Sequence, residues 1–143
     1  MGASVAAYWP GISEEQIEAQ PGFFNDCHAW GNWMAECAER KDVVDTMKRL
    51  GVDALCTCKT DGVPDSAVAW VTPAQLESAA LRLRELVLAR HPETRPILET
   101  YGKSAPGAEP VDEEFGRDLS DVAAIASFAA QEGVARMTLE VNW

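Results

Sequence analysis

The sequence predicts an α+β fold in which a small, mainly antiparallel sheet is covered by amphipathic helices. Two short apolar segments within residues 52–71 flank a turn-forming cluster at residues 60–65, and this pattern is typical of a hairpin. A third segment, residues 134–143, alternates apolar and polar side chains and predicts a C-terminal strand. Elsewhere, apolar residues recur at intervals of three and four, which indicates helices with one buried face.

The N-terminal third of the chain predicts one strand and two helices. Residues 4–9 alternate loosely and predict a short edge strand, and Ser13 with Gln16 has the pattern of a capping box at the start of a short helix. Pro21 ends that helix. The next helix is expected from residue 23 to about residue 40, because its apolar residues follow a helical period: Phe23, Cys27, Trp30, Met34 and Cys37.

The middle of the chain has clear helix boundaries on both sides of the predicted hairpin. Asp42 is expected to cap a short helix that Gly51 ends. After the hairpin, Thr72 and Gln75 form a second capping-box pattern around a proline, and a long helix is expected from residue 73 to about residue 91. Leu81, Leu86 and Leu88 broaden its apolar face, which indicates contact with more than one neighbour.

The C-terminal part predicts two helices and the last strand. A short helix is expected to begin near Pro96, and residues 103–111, rich in proline and small residues, are expected to form a mobile loop. Asp112 begins a long helix that Gly133 ends. The final strand places five side chains on one face, namely Ala135, Met137, Leu139, Val141 and Trp143, so truncating it should destabilise the protein. All 143 residues are expected to form a single domain.

The charge of the chain limits its partners. Twenty-three acidic residues against twelve basic ones give a net charge of −11, which repels nucleic acids and anionic membranes and favours a basic protein partner. No apolar run is long enough to span a bilayer, and no N-terminal signal pattern is present, so a cytoplasmic protein with reduced cysteines is expected.

Two sets of residues are candidates for a metal site. The thiolates of Cys27, Cys37, Cys56 and Cys58, with the imidazole of His28, are ligands that suit zinc, and the same residues are the candidates for a thiol nucleophile. Their spacing does not match that of structural zinc sites, so we interpret the cysteines as buried structural thiols. Glu114, Asp118 and Asp121 share one helix face and could hold Mg²⁺ or Ca²⁺, but such a row is typical of a solvated face.

The sequence therefore predicts no metal site, no cofactor and no catalytic residue. We expect a non-enzymatic acidic domain that binds a basic protein, for instance an inhibitor or immunity-type protein that neutralises a nuclease. One or two of the five tryptophans, if exposed beside acidic residues, would suit such a partner: Trp9, Trp30, Trp33, Trp70 and Trp143. Two alternatives remain: a small thiol-dependent enzyme or metal-binding protein built on His28 and the cysteines, and a homodimer formed through the apolar edge near Trp143.

Overall fold

A computed structural model describes residues 4–21, 33, 40–56, 59–60, 62–102 and 110–142 of the chain. The described helices are α1 (Glu14–Ala19), α2 (Lys41–Leu50), α3 (Pro73–Leu88), α4 (Arg95–Gly102) and α5 (Val111–Gln131). The described strands are β1 (Ser4–Tyr8), β2 (Lys59–Thr60) and β3 (Thr138–Asn142). Short 3₁₀ turns occupy Asp53–Cys56, Asp65–Ala67 and Pro92–Thr94. The predicted α+β fold is confirmed.

The C-terminal strand β3 lies at the centre of the described sheet. It pairs antiparallel with β1, with Val5 opposite Val141, and parallel with β2, with Thr60 also opposite Val141. Leu139 and Val141 of β3 are buried, as is Met137 just before the strand. The predicted strand at residues 134–143 is therefore confirmed over β3, and β1 is an edge strand of the described sheet, as the alternation in residues 4–9 predicts.

The predicted hairpin at residues 52–71 is wrong. The amide of Val52 closes the end of α2 by donating to the carbonyl of Met47, and residues 53–56 continue as a 3₁₀ turn that buries Leu55. Two parts of the segment pair separately with the C-terminal part of the chain: β2, near its middle, with β3, and Val71, at its end, with Met137. The strand preference of a short segment is weak and depends on its surroundings. Here it is outweighed by the closure of the end of α2 and by the burial of apolar side chains.

Helix starts agree with the sequence where a side chain caps the backbone. The hydroxyls of Ser13 and Thr72 accept from the amides of Gln16 and Gln75, and both capping boxes are complete. The prediction that Asp42 caps α2 is wrong. Arg40 is the N-cap residue, and the Asp42 carboxylate accepts from the Arg40 guanidinium at 2.9 and 2.8 Å, which lowers the pKa of Asp42 to about 2.

Two predicted segments fall mainly outside the described residues. Of the helix expected from residue 23 to about residue 40, only Trp33 and the N-cap residue Arg40 are described. Of the mobile loop expected at residues 103–111, residues 103–109 are not described. Pro110 is the N-cap of α5 and Val111 is its first residue, so this helix begins one residue earlier than the sequence predicts.

The core lies between the long helices α3 and α5 and the sheet. The apolar stripe of α5 is fully buried, as its spacing predicts: Phe115, Leu119, Val122, Ala126 and Ala129. Tyr101 of α4 stacks on Phe115 with ring centroids 4.4 Å apart, and Trp33 meets the same ring edge-on at 5.1 Å. The broad leucine face predicted for α3 is only partly buried, because the side chains of Leu81 and Leu88 remain 43% and 42% exposed.

Helices α2, α3 and α5 end in the same way, but one of them uses an unfavourable residue. After each helix, one residue adopts a left-handed backbone conformation. The amides of that residue and of the next one donate to carbonyls in the last helical turn. Gly51 and Gly133 hold this position after α2 and α5, whereas Arg90 holds it after α3 with φ of 56°. A left-handed conformation costs a residue other than glycine about 1–2 kcal/mol.

Replacing Arg90 with glycine is expected to raise the free energy of unfolding by about 0.5–1 kcal/mol, because the backbone strain exceeds the extra chain entropy that glycine loses on folding. The ion pair lost with Arg90 joins its side chain, 85% exposed, to Asp112 at 3.7 Å and contributes little. Gly51→Ala is the matched control. A Cβ at position 51 would meet nothing closer than 3.9 Å, so its expected loss of stability comes from φ alone. Urea denaturation measures both changes, and a destabilised Arg90→Gly would contradict the strain assignment.

Candidate functional site

The structure describes only one of the proposed zinc or thiol residues. Cys27, His28, Cys37 and Cys58 lie outside the described residues. The free thiol of Cys56 is half-buried, with its Sγ 3.6 Å from the Sδ of Met47, and burial raises the pKa of the thiol to about 11. A thiol with this pKa is protonated at neutral pH and is a poor nucleophile. The absence of a metal or catalytic site stays a prediction.

The acidic row on α5 is not the solvated face that the sequence predicts. Glu114, Asp118 and Asp121 are all half-buried, because each immediately precedes a residue of the buried stripe and α4 packs beside them. The hydroxyl of Tyr101 on α4 donates to Asp118 at 2.5 Å. Burial, together with the neighbouring Asp121 and Glu114, raises the pKa of Asp118 to about 6, against the opposing effects of the Tyr101 bond and Arg117. Within the described part of the chain, no group of three His, Cys, Asp or Glu side chains is arranged to hold a metal ion.

Helix α1 presents an acidic surface. None of its residues is buried, three of its six residues are glutamates, and Ile17 between them is 43% exposed. The side chain of Gln16 also donates to Glu132 beyond the end of α5 at 3.3 Å, which places a fourth carboxylate beside the helix. We call Glu14, Glu15, Glu18 and Glu132 the acidic ridge. Among the described residues, no ridge carboxylate forms an ion pair.

A buried amide holds the acidic ridge against the sheet. Gln20, which follows α1 and is 3% exposed, accepts from the backbone amide of Ala7 at 2.7 Å and donates to the carbonyl of Ala7 at 3.2 Å. Its side chain therefore bonds the edge of β1 as a neighbouring strand would. The position of α1 is set by this pair of bonds and by the Gln16–Glu132 contact, whereas α1 itself contributes no buried residue.

Two of the five tryptophans lie beside the ridge. Trp9 is 7% exposed, while Trp70 is half-buried and stacks on Tyr8 with ring centroids 6.0 Å apart. Both line a groove of about 410 Å³ that also includes ridge residue Glu132 and the basic residue Arg136. We call this the tryptophan groove. Trp33 is fully buried in the core, and Trp30 and Trp143 lie outside the described residues.

Two further grooves are less suited to a charged ligand. One, of about 580 Å³, runs between α3 and the start of the 3₁₀ turn after α2, and Arg82 at its wall donates to the Leu50 carbonyl at 2.6 Å. The other, of about 770 Å³, lies where α3 ends and α5 begins. Its two arginines already face carboxylates, Arg90 at 3.7 Å from Asp112 and Arg95 at 3.0 Å from Glu99.

No described helix is both long enough and apolar enough to cross a membrane. No protein-family model, curated protein or solved structure matches the chain. Its function must therefore be inferred from its own residues, and sequence reasoning located neither the acidic ridge nor the Asp118–Tyr101 pair. The capping box at Ser13 was a signal for α1, but the position of that helix depends on contacts with distant residues.

Proposed function

We propose that this protein is a non-enzymatic binding domain that recognises a basic protein partner through the acidic ridge. The observation that carries the proposal is the make-up of α1, a helix with three glutamates, an exposed isoleucine and no buried residue. A segment that contributes so little to the core, yet is anchored by the buried amide of Gln20, is suited to presenting its side chains to a partner.

The physical basis of recognition is charge attraction combined with apolar contact. The net charge of −11 would speed the approach of a basic protein and repel nucleic acid phosphate. At the surface, the exposed Ile17 and the half-buried Trp70 supply apolar area beside carboxylates. Tryptophan is enriched among residues that dominate binding energy, and arginine stacks favourably on its ring.

Within this proposal we favour an inhibitor or immunity-type role, because an acidic surface can occupy the site at which a basic partner would otherwise bind phosphate. The proposal also places the protein in the cytoplasm, where the unpaired thiol of Cys56 would stay reduced. Burial keeps the Cys56 thiol protonated at neutral pH, so this thiol is not suited to act as a nucleophile.

The test compares two triple variants that change the net charge equally. One neutralises the α1 glutamates (Glu14→Gln, Glu15→Gln, Glu18→Gln), and the matched control neutralises three exposed acids elsewhere (Asp53→Asn, Glu85→Gln, Glu113→Gln). Binding of a fluorescent oligoarginine peptide is measured by anisotropy over a series of salt concentrations. Because an exposed ion pair contributes about 0.2–1 kcal/mol, the α1 variant should lose roughly tenfold in affinity.

The control variant is expected to bind within about twofold of the original protein, since its charges lie away from the ridge. For the original protein, affinity should fall as salt rises. Equal losses in the two variants would show that the peptide senses only net charge and would contradict a role for the ridge. Affinity that does not depend on salt would contradict the charge-based proposal as a whole.

A further inference from the structure

The tryptophan groove is lined by hydrogen-bond donors that no described residue uses. Trp9 is 7% exposed, and its indole nitrogen reaches solvent, whereas the nitrogen of Trp33 is enclosed in the core. No described residue accepts from the indole N–H of Trp9 or from that of Trp70. The guanidinium of Arg136, which also lines the groove, is exposed and forms no ion pair with a described residue. These donor groups need acceptors that a ligand could supply.

The apolar surface of the groove is already formed in the protein alone. Trp70 stacks on Tyr8, and the hydroxyl of Tyr8 donates to Asp65 at 3.0 Å, so the indole ring is held in place. Pro10 lines the same groove and is exposed. The volume of about 410 Å³ lies within the range of sites that enclose small ligands and suits a short peptide segment. Because the surface is formed in advance, a ligand would bind without the cost of ordering it.

A proline-rich segment matches both the donors and the apolar surface. Proline has a backbone carbonyl but no N–H, so a run of prolines brings acceptors and no donors that would need partners of their own. In the polyproline II conformation the carbonyls make no internal hydrogen bonds, and aromatic-lined grooves are a recurring means of binding such segments. An anionic ligand could also accept from the indoles and from Arg136, but the ridge carboxylates and the net charge of −11 would repel it.

We propose that the tryptophan groove binds a proline-rich segment of the basic partner. The proline rings pack against Trp70 and Pro10. Carbonyls of the segment accept from the indole N–H groups of Trp9 and Trp70 and from Arg136. Glu132, a ridge residue in the same groove, pairs with a lysine or arginine beside the prolines. The inference rests on the proposed function for the basic character of the partner, and it adds the composition and conformation of the segment that the partner presents.

The first measurement follows the indole N–H signals of the original protein by NMR. The probe is a peptide with blocked ends that has one arginine beside a run of prolines. The signals of Trp9 and Trp70 should move downfield as their N–H groups form hydrogen bonds, and the signal of Trp33 should stay in place. In a matched peptide every proline is replaced with alanine and the charge is unchanged. This peptide should bind about tenfold more weakly, because it is less rigid and brings N–H groups that the groove does not satisfy.

Two variants test the groove by fluorescence anisotropy with labelled forms of the same peptides. Trp70→Phe keeps an aromatic ring beside Tyr8 but lacks the N–H, so affinity for the proline peptide should fall about two- to tenfold. Leu88→Ala is the control, because it also removes exposed apolar surface but lies beside Gly116 near the start of α5, at the opposite end of that helix from the groove. Its affinity should stay within about twofold of the original protein.

Equal affinity for the two peptides would overturn the proposal, and so would indole signals of Trp9 and Trp70 that do not move. If the α1 variant still lost affinity for oligoarginine in that case, the acidic ridge would stand without the groove. Indole shifts with the proline peptide, combined with oligoarginine binding that does not depend on the ridge, would support the groove and contradict the proposed function.

Discussion

Replacing Leu139 with alanine is expected to lower the free energy of unfolding by about 2–5 kcal/mol. Leu139 is fully buried in β3, the strand that pairs with both β1 and β2. The truncated side chain would leave a cavity against the core, and the two flanking strands restrict how far the backbone can move to fill it. Urea denaturation followed by circular dichroism would measure the change.

Thr138, the residue before Leu139, offers a control substitution that should raise the free energy of unfolding instead of lowering it. Thr138 is also fully buried, but its side chain points to the other face of the sheet, and its hydroxyl has no hydrogen-bond partner among the described residues. Thr138→Val replaces that hydroxyl with a methyl group of similar size, so the free energy of unfolding should rise by about 1 kcal/mol. If Leu139→Ala cost no more than a surface substitution, β3 would not be the central strand described above.

Replacing Asp118 with asparagine is expected to stabilise the protein at neutral pH by up to about 3 kcal/mol. The folded protein raises the pKa of Asp118 from 3.8 to about 6, so the folded state binds the proton more tightly than the unfolded chain does. The resulting stabilisation is fully present below about pH 4 and is lost as the pH rises through 6. Asparagine cannot ionise, and its side-chain oxygen can still accept from Tyr101, so the variant avoids this loss.

The measurement is the difference in unfolding free energy between Asp118→Asn and the original protein from about pH 4 to about pH 8. The difference should be close to zero at the acidic end, grow through pH 6, and level off above about pH 7. Glu113→Gln, an exposed position on the same helix, should change stability by less than about 0.5 kcal/mol throughout. A difference that is constant across the pH range would contradict the raised pKa of Asp118. It would mean that ionising Asp118 costs the folded state no stability.

The parts of the fold that could be predicted from sequence are those determined within a few residues. Ser13 and Thr72 cap helices through bonds to residues three positions away, and Gly51 ends α2 with the backbone conformation that glycine allows. The regular alternation of β3 likewise reports a strand with one buried face.

The parts that sequence reasoning missed depend on distant contacts. Whether residues 52–71 fold back on themselves or pair with β3 is decided by the position of β3, which lies far along the chain. The burial of Asp118 depends on Tyr101, seventeen residues earlier. The exposure of α1 depends on what α1 does not contact, and no periodicity within six residues can reveal that.

The bonds between Gln20 and Ala7 have a consequence for how the protein behaves among its own copies. A strand at the edge of a sheet offers its amides and carbonyls to any extended segment that approaches, and this is a common start of aggregation. At Ala7 both groups are already occupied by one side chain. The glutamine amide supplies the acceptor and the donor together, whereas an ionised glutamate at position 20 would lack the donor and repel the carbonyl. The residue that positions the acidic helix therefore also limits the addition of a strand from another molecule.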